Sequence, residues 1–263
     1  MKILVCIKQV PDMESKFKVD AAGSWYEKTD LVWRMNEYDE FAVEQAVQLK
    51  EQVKDADITV LSIGSEQVKE TIKKALAMGC DRGAHIADDE VSGRSPYQIA
   101  GIIAGFAGDK GFDIIFTGLQ SRDRGSGQVG ILVAEMLGIP GISTVVDFAW
   151  EDGIIRAKRE LEGGIKARVK VQSPALVTCQ LGLNSPRYPT LPNIMKAKKK
   201  ELLSTPVCEF LKAEALQETV KLYFPEKKGG GLVLEGQVDE LVNQLIKILK
   251  DQTTVLGEKD TNP

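Results

Sequence analysis

Short apolar runs alternate with amphipathic stretches through the first half of this chain, and that alternation limits the fold more than any other feature. Residues 3–7 form an uninterrupted apolar run, the signature of a strand buried on both faces. Asn36 can then cap a helix, with Asp39 in a capping-box-like position and Ala42, Val43, Ala46, Val47 and Leu49 as its buried stripe. Residues 58–63 read as a second buried strand. Ser65 is the expected cap of the next helix, whose stripe is Val68, Ile72, Ala75 and Leu76 and whose stop is Gly79. A short strand at 84–87, a helix at 96–107 and a buried strand at 112–117 continue the series. Strands alternating with helices specify a doubly wound parallel sheet with helices on both faces. Ligands in such sheets sit beyond the carboxyl ends of the strands, where the strand order reverses.

The second half changes period. Residues 145–150, 153–161, 165–171 and 175–179 read as a strand meander, with turn signals at Asp152-Gly153 and Gly163-Gly164. The meander is expected to extend the sheet or cover one side of it. Residues 16–32 are turn-rich, with a hairpin expected around Gly23. After Lys200 regular spacing is lost, and Lys227-Lys228-Gly229-Gly230-Gly231 reads as a flexible joint. Beyond it, Val238, Leu241, Val242, Leu245, Ile246 and Leu249 make an amphipathic helix that could pack on its own domain or on another chain.

Composition narrows the function. A chain of 263 residues with 43% hydrophobic content is large enough for one α/β domain with appendages. Its net charge of −4 disfavours nucleic acid as a partner. The four cysteines, Cys6, Cys80, Cys179 and Cys208, are widely spaced with no C-x-x-C. That spacing argues against a zinc site, an iron–sulfur cluster or a redox dithiol, and fits a reducing cytoplasm. No run reaches transmembrane length, and the opening apolar run is too short for a signal peptide, so membrane insertion is not expected. His85, the single histidine, sits at the end of a short strand, so neither histidine catalysis nor a metal site is expected.

Two stretches carry chemistry. Residues 117–130 read T-G-L-Q-S-R-D-R-G-S-G-Q-V-G, follow a buried strand and open a helix with the stripe Ile131, Ala134 and Leu137, closed by Gly138. Small residues at a helix start expose N–H groups in the positive field of the helix dipole, which suits phosphate. Gly125, Ser126 and Gly127 let the backbone approach a ligand, and Gln128 can donate to a phosphate or an adenine edge. The same glycines equally serve a structural tight turn, because the stretch is neither G-x-G-x-x-G nor a phosphate-loop motif. Residues 188–200 read Y-P-T-L-P-N-I-M-K-A-K-K-K, an apolar plug running into lysines. Such an arrangement suits docking to an acidic partner, with the apolar tip filling a pocket, or a short surface helix with one buried face.

The run L-N-S-P-R-Y-P-T-L-P-N-I-M-K-A-K-K-K, residues 183–200, resembles the signature of the β (small) subunit of electron-transfer flavoproteins. The resemblance extends through K-I-L-V-C-I-K, N-E-Y-D-E-F-A-V-E-Q-A-V and A-L-A-M-G-C-D-R-G, nearly the whole chain. It implies an adenine-nucleotide α-hydrolase-like or Rossmann-like fold, with the added meander and a C-terminal arm. Residues 1–225 would form the nucleotide-binding domain, with a recognition loop at 184–200; residues 226–263 would form a joint and an arm helix reaching the α subunit. The family's G-x-Q-x-x-D-x-D-x-x-Q-x-G stretch, which wraps an adenine nucleotide, is matched by Gly118, Gln120, Asp123, Gln128 and Gly130, while Gly125 replaces the second acidic residue. By the same resemblance Asn36, Tyr38 and Asp39 form the turn beside the adenosine. Cys6 and Ile63 would line the adenine, and Gly125, Ser126, Gly127 and Val129 complete the cofactor-binding set. Leu191, Pro192, Asn193, Ile194 and Met195 would dock a flavin-dependent dehydrogenase, with Leu191 as anchor.

Members of that family hold either AMP, as a structural ligand, or a second FAD in this site. The Q-V-G at 128–130, Asp39 in place of a neutral residue, and the room left by Gly125-Ser126-Gly127 favour FAD and the electron-bifurcating type. NADH is then the expected donor, with a low-potential acceptor such as ferredoxin and an acyl-CoA, enoyl-CoA or lactate dehydrogenase as partners. The flavin carries the chemistry, so no side chain is expected to act as acid, base or nucleophile. An ATP-hydrolysing or adenylating enzyme of similar fold would need a phosphate-loop lysine or an S-G-G-x-D-S loop, and neither is present.

Overall fold

The computed structural model describes residues 1–226 and 231–253. Two compact units are distinguished, residues 1–222 and 223–263. Most of the joint expected at 227–231 lies outside the described residues.

The first unit is built on β1 (Lys2–Cys6), β2 (Gln9–Pro11), β3 (Trp33–Met35), α1 (Glu37–Gln52), β4 (Asp57–Gly64), α2 (Val68–Met78) and β5 (Arg82–Ala87). It continues through α3 (Pro96–Ala107), β6 (Ile114–Gly118), α4 (Val129–Leu137), β7 (Gly141–Glu151), β8 (Ile154–Glu160), β9 (Lys166–Gln172) and β10 (Ala175–Cys179). It closes with α5 (Leu191–Ala197) and β11 (Leu202–Pro206). Nine strands form one sheet in the order β11–β5–β4–β1–β6–β10–β7–β8–β9, and β2 pairs with β3 in a small ribbon.

Strand alternation explains the two cores. Ile3 and Val5 of β1 point into a cluster with Ala42, Val43 and Ala46 of α1 and Ile72 and Leu76 of α2. Leu4 and Cys6 point the other way, into a cluster with Ile102, Ile103 and Phe106 of α3 and Val133 of α4. Both faces of β1 are therefore covered, as a continuous apolar run demands. The doubly wound, mainly parallel sheet expected from the sequence is the one observed. Helix α3 spans the predicted residues and starts with a capping box in which Ser95 Oγ accepts from Gln98 N and Gln98 Oε1 accepts from Ser95 N.

Several expectations need correction. The four strands of the second half are not one meander. β7, β8 and β9 are antiparallel neighbours, but β10 lies parallel between β6 and β7. Ala175–Cys179 is buried throughout, so it belongs in the sheet interior rather than at an edge. Ser65 does not cap α2: the helix starts at Val68, and Ser65 offers only its carbonyl, to Val68 N. The stretch after Lys200 does contain a strand, β11, which pairs with β5 along the edge of the sheet. The hairpin expected around Gly23 is present as an antiparallel bridge between Val19 and Tyr26, with Gly23 at φ 68°.

In the second unit, α6 (Val238–Gln252) carries Val242, Leu245 and Ile246, all exposed. Among the described residues no helix is long and apolar enough to cross a membrane.

Candidate functional site

The central strands β4, β1 and β6 end beside one another, and the chain leaves each of them over a common cavity of about 210 Å3. It sits where the fold places ligands. Cys6 at the end of β1, Ile63 near the end of β4, and Thr117 and Gly118 at the end of β6 line it. Gln120, Asp123, Ser126, Gly127, Gln128 and Val129 form the wall leading into α4.

The start of α1 builds the floor. Asn36 does not cap the helix with its side chain. Its Nδ2 donates to Gln120 O at 2.9 Å, and its Oδ1 accepts from Arg122 N at 3.0 Å. Asp39 likewise makes no capping box: its Oδ2 accepts from Lys8 N at 2.7 Å and its Oδ1 from Gly118 N at 3.1 Å. The helix start uses the Asn36 carbonyl, which accepts from Asp39 N and Glu40 N, so the two side chains are free to tie down the loops after β1 and β6. Burial pushes the Asp39 carboxyl up to about 7, against the pull of these donors and of Lys8. Tyr38 lies outside the cavity wall. It is buried, and its hydroxyl accepts from Gln120 Nε2 at 3.1 Å, so it supports the site from behind. Gly118 is held so closely that an added Cβ would stand 2.2 Å from Asp39 Oδ1 and 2.7 Å from Tyr38 Cβ.

The glycine-rich loop leaves space on its ligand side. Gly125 and Gly127 have φ of 61° each; a Cβ on Gly125 would meet nothing within 4 Å, and one on Gly127 only Leu119 O at 3.9 Å. Gly125 itself does not line the cavity, and its N–H donates to Ser121 O. Gly130 serves packing instead, since a Cβ there would meet Thr117 Oγ1 at 2.7 Å and Thr178 Cγ2 at 2.8 Å. The first-turn N–H groups of α4 have no intrahelical acceptors and open beside Gln128 and Val129. Ser62 Oγ is buried, lines the same cavity and has no hydrogen-bond partner among the described residues. A cavity that combines an orphaned hydroxyl, a helix N-terminus and an open glycine turn in its lining fits a phosphate-bearing nucleotide.

Sequence reasoning missed part of the wall. Trp25, Tyr26 and Trp33, from the hairpin and the ribbon strand after it, line the cavity, as do Lys8, Arg94 and Arg124. Two of the chain's three tryptophans in a short polar stretch was the available signal. Lys8 Nζ is 2.6 Å from Asp123 Oδ2; burial lowers the pKa of Lys8, and Asp123 opposes that. The Arg124 guanidinium lies 4.7 Å over the Trp25 ring and donates to the carbonyls of Arg94 and Ser92. Arg94 pairs with Asp88 at 3.0 Å, whereas Arg124 has no carboxylate at ion-pair distance among the described residues. The Cys6 thiol is pushed far up by burial and by Asp39, so it stays protonated.

The basic segment folds as α5 and keeps its apolar side chains outside. Tyr188 is 91% exposed, Leu191 79% and Met195 62%, while Ala197 is buried. Pro192, Asn193 and Ile194 are exposed as well, so the short helix has no sizeable buried apolar face. His85 is a satisfied interior side chain, with Nδ1 2.8 Å from Ser204 Oγ and Nε2 2.8 Å from Gly64 O. Among the described residues no group of three or more His, Cys, Asp or Glu side chains is placed to hold a metal.

Fold and site together define a doubly wound α/β protein with a cavity at its strand ends and, separate from that cavity, an exposed apolar segment on α5. The electron transfer flavoprotein domain family matches residues 25–209. The chain is 35% identical over 261 residues to the electron transfer flavoprotein subunit beta of Bacillus subtilis, covering 97% of this chain and 100% of that one. It is 38% identical over 247 residues to the subunit beta of Bradyrhizobium diazoefficiens, covering 93% and 97%. It is 34% identical over 272 residues to that of Megasphaera elsdenii, covering 97% and 100%. The chain belongs to the electron transfer flavoprotein family, as a β subunit. It therefore has an α subunit as its partner and takes part in flavin-linked electron transfer.

Proposed function

We propose that this β subunit binds FAD in the strand-end cavity and serves an electron-bifurcating flavoprotein. The observation that carries the reading is the composition of the cavity wall. Beyond the strand ends and the open turn at 125–127, which would serve adenosine and phosphate, the wall adds three aromatic side chains, Trp25, Tyr26 and Trp33. A mononucleotide offers one ring system; a dinucleotide with an isoalloxazine offers a second for such a wall. Arg124, with no carboxylate at ion-pair distance among the described residues, supplies a charge for a diphosphate.

The residues divide the work. The α4 N-terminus, Ser62 and Arg124 would hold the phosphates, while Cys6 and Ile63 would flank the adenine. Asn36 and Asp39 keep the loops in register. When bound, FAD would supply the chemistry that accepts hydride from NADH and passes electrons singly to ferredoxin and to the α-subunit side. The exposed tip of α5, led by Leu191, would dock a flavin dehydrogenase acting on an acyl-CoA, an enoyl-CoA or lactate.

The deciding experiment is acid release and chromatography of nucleotides from the αβ complex purified without oxygen. Two FAD and no AMP per heterodimer is the expected result. One FAD and one AMP would overturn the proposal and leave a docking scaffold around the α-subunit flavin.

Two variants test the site assignments. Gly127→Val should leave the cavity empty, because Gly127 lines the cavity and the space around it, open but for Leu119 O at 3.9 Å, would be taken from the phosphates by the added side chain. Backbone strain at φ 61° adds about 1–2 kcal/mol of destabilisation. Full nucleotide occupancy in this variant would show the loop is misassigned. Leu191→Ala should raise the KM of the complex for its dehydrogenase about tenfold or more, the worth of a leucine buried at an interface. Nucleotide content and thermal stability should not change. Electron transfer at the unaltered rate and KM would defeat the docking role.

A further inference from the structure

The exposed tip between Tyr188 and Met195 is clamped at both ends, and the two clamps use side chains that the docking motif itself does not explain. On the amino-terminal side, Arg187 closes a five-bond ion cluster on α1. Its N–H and Nε both donate to Glu44 Oε2, at 3.1 and 2.8 Å. Its Nη2 donates to Glu44 Oε1 at 3.0 Å and to Glu51 Oε2 at 3.0 Å, and its Nη1 to Glu51 Oε1 at 2.6 Å. Glu44 is 3% exposed, so its charge has left water and depends on Arg187. The two glutamates hold the Arg187 guanidinium well above its ordinary pKa. Just before it, Asn184 Nδ2 donates to Phe41 O at 3.0 Å, a second bond to the same helix.

On the carboxyl-terminal side, Lys200 behaves unlike the other lysines of its run. Lys196, Lys198 and Lys199 are exposed. Lys200 is half-buried, and its Nζ donates to Leu76 O at 2.9 Å and Cys80 O at 2.6 Å, capping the carboxyl end of α2. Beyond it the chain enters β11 and is tied to the sheet edge.

We infer that Arg187 and Lys200 are positioning residues for partner docking, holding the apolar tip in its binding conformation before the partner arrives. A free loop of the twelve residues 188–199, bearing Leu191, would lose its conformational freedom on every encounter. A loop pinned at both ends loses little, so the anchors act on affinity without touching the partner. A bidentate guanidinium fork on two carboxylates cannot be reproduced by an ammonium, which makes Arg187 the more demanding of the two. This inference rests on the docking role of Leu191 and its neighbours.

The test uses the αβ complex with purified acyl-CoA, enoyl-CoA and lactate flavin dehydrogenases; the one that gives saturable reduction with the unaltered complex is the probe. Arg187→Ala should raise KM for that dehydrogenase about tenfold with kcat within twofold of the unaltered value. Arg187→Lys should recover a minor part of the loss, and Lys200→Met, which keeps the stem but not the donor, should raise KM severalfold. Amide hydrogen exchange in residues 188–197 should accelerate in all three. Because Glu44 is buried and removal of its partner could unfold α1, Glu51→Gln serves as a mild second probe of the same cluster, with a smaller KM rise expected. If Leu191→Ala raises KM while the Arg187, Lys200 and Glu51 variants leave it within twofold, the clamp is overturned and the docking role stands. If none of the four moves KM, the docking role and the clamp both fall.

Discussion

Gly118→Ala should lower the melting temperature by roughly 6–12 °C, the shift expected for about 3 kcal/mol lost in a domain of this size. The cause is geometric. The new methyl would stand 2.2 Å from Asp39 Oδ1, 2.7 Å from Tyr38 Cβ and 3.0 Å from the Tyr38 backbone carbon. None of these atoms is the loose end of a long side chain. Asp39 is fixed by two backbone donors and Tyr38 by its place in the first turn of α1. Relief requires α1 to move away from β6, which breaks the bonds from Lys8 N and Gly118 N and the Asn36 contacts with the 120–122 loop. Nucleotide content should fall with stability. Differential scanning calorimetry of the αβ complex is the measurement; a melting temperature within 2 °C of the unaltered protein would show that the close approach is not a constraint.

Asp39→Asn should change how stability depends on pH. The Asp39 carboxyl titrates near 7 in the folded chain and near the ordinary 3.8 when unfolded. A carboxyl raised in this way favours the folded state when protonated. Its contribution is complete below about pH 4 and is lost as pH rises to about 7. Within that window it lowers stability by up to about 1.4 kcal/mol per pH unit, an upper bound for one fully coupled group. Asparagine removes the titration but places an amide N–H2 against one of the two backbone donors, at a cost of about 1–3 kcal/mol. Urea unfolding at pH 4.5, 6 and 7.5 should therefore show the variant less stable at the acid end, with the gap to the unaltered protein closing as pH rises. A gap that stays constant across the three would mean that Asp39 is ionised throughout.

The parallel half of the sheet was legible because its strands are apolar on both faces. β1, β4 and β6 each carry runs that admit no solvent-facing residue. The position of β10 was not legible from its neighbours in sequence, because hairpin signals say which strands follow one another and nothing about a strand that leaves a meander to insert elsewhere. Its own burial was the available clue: ALVTC lacks the alternation seen in KARVKVQ of β9. At the site, Asn36 and Asp39 were noticed as polar residues at a helix start, where capping is the common use. Only the three-dimensional approach of the loops after β1 and β6 shows that their side chains work across the sheet instead. The aromatic wall escaped notice because Trp25, Tyr26 and Trp33 sit in a stretch without helical or strand periodicity. Lys200 was read as one of four like charges; its two carbonyl acceptors come from residues more than a hundred positions earlier, which no local pattern reveals.

The insertion of β10 also orders events as the chain is made. β7, β8 and β9 are consecutive antiparallel neighbours and can assemble from local contacts alone. β1, β4, β5 and β6 can likewise zip together with the helices between them. Neither half touches the other through the sheet until residues 175–179 arrive, because β10 is the strand hydrogen-bonded to both β6 and β7. A nascent chain that ends before Ala175 thus holds two incomplete sheets with open apolar edges facing a gap one strand wide. That interval is when the chain is most exposed to mispairing and to chaperones, and it closes with a single five-residue strand.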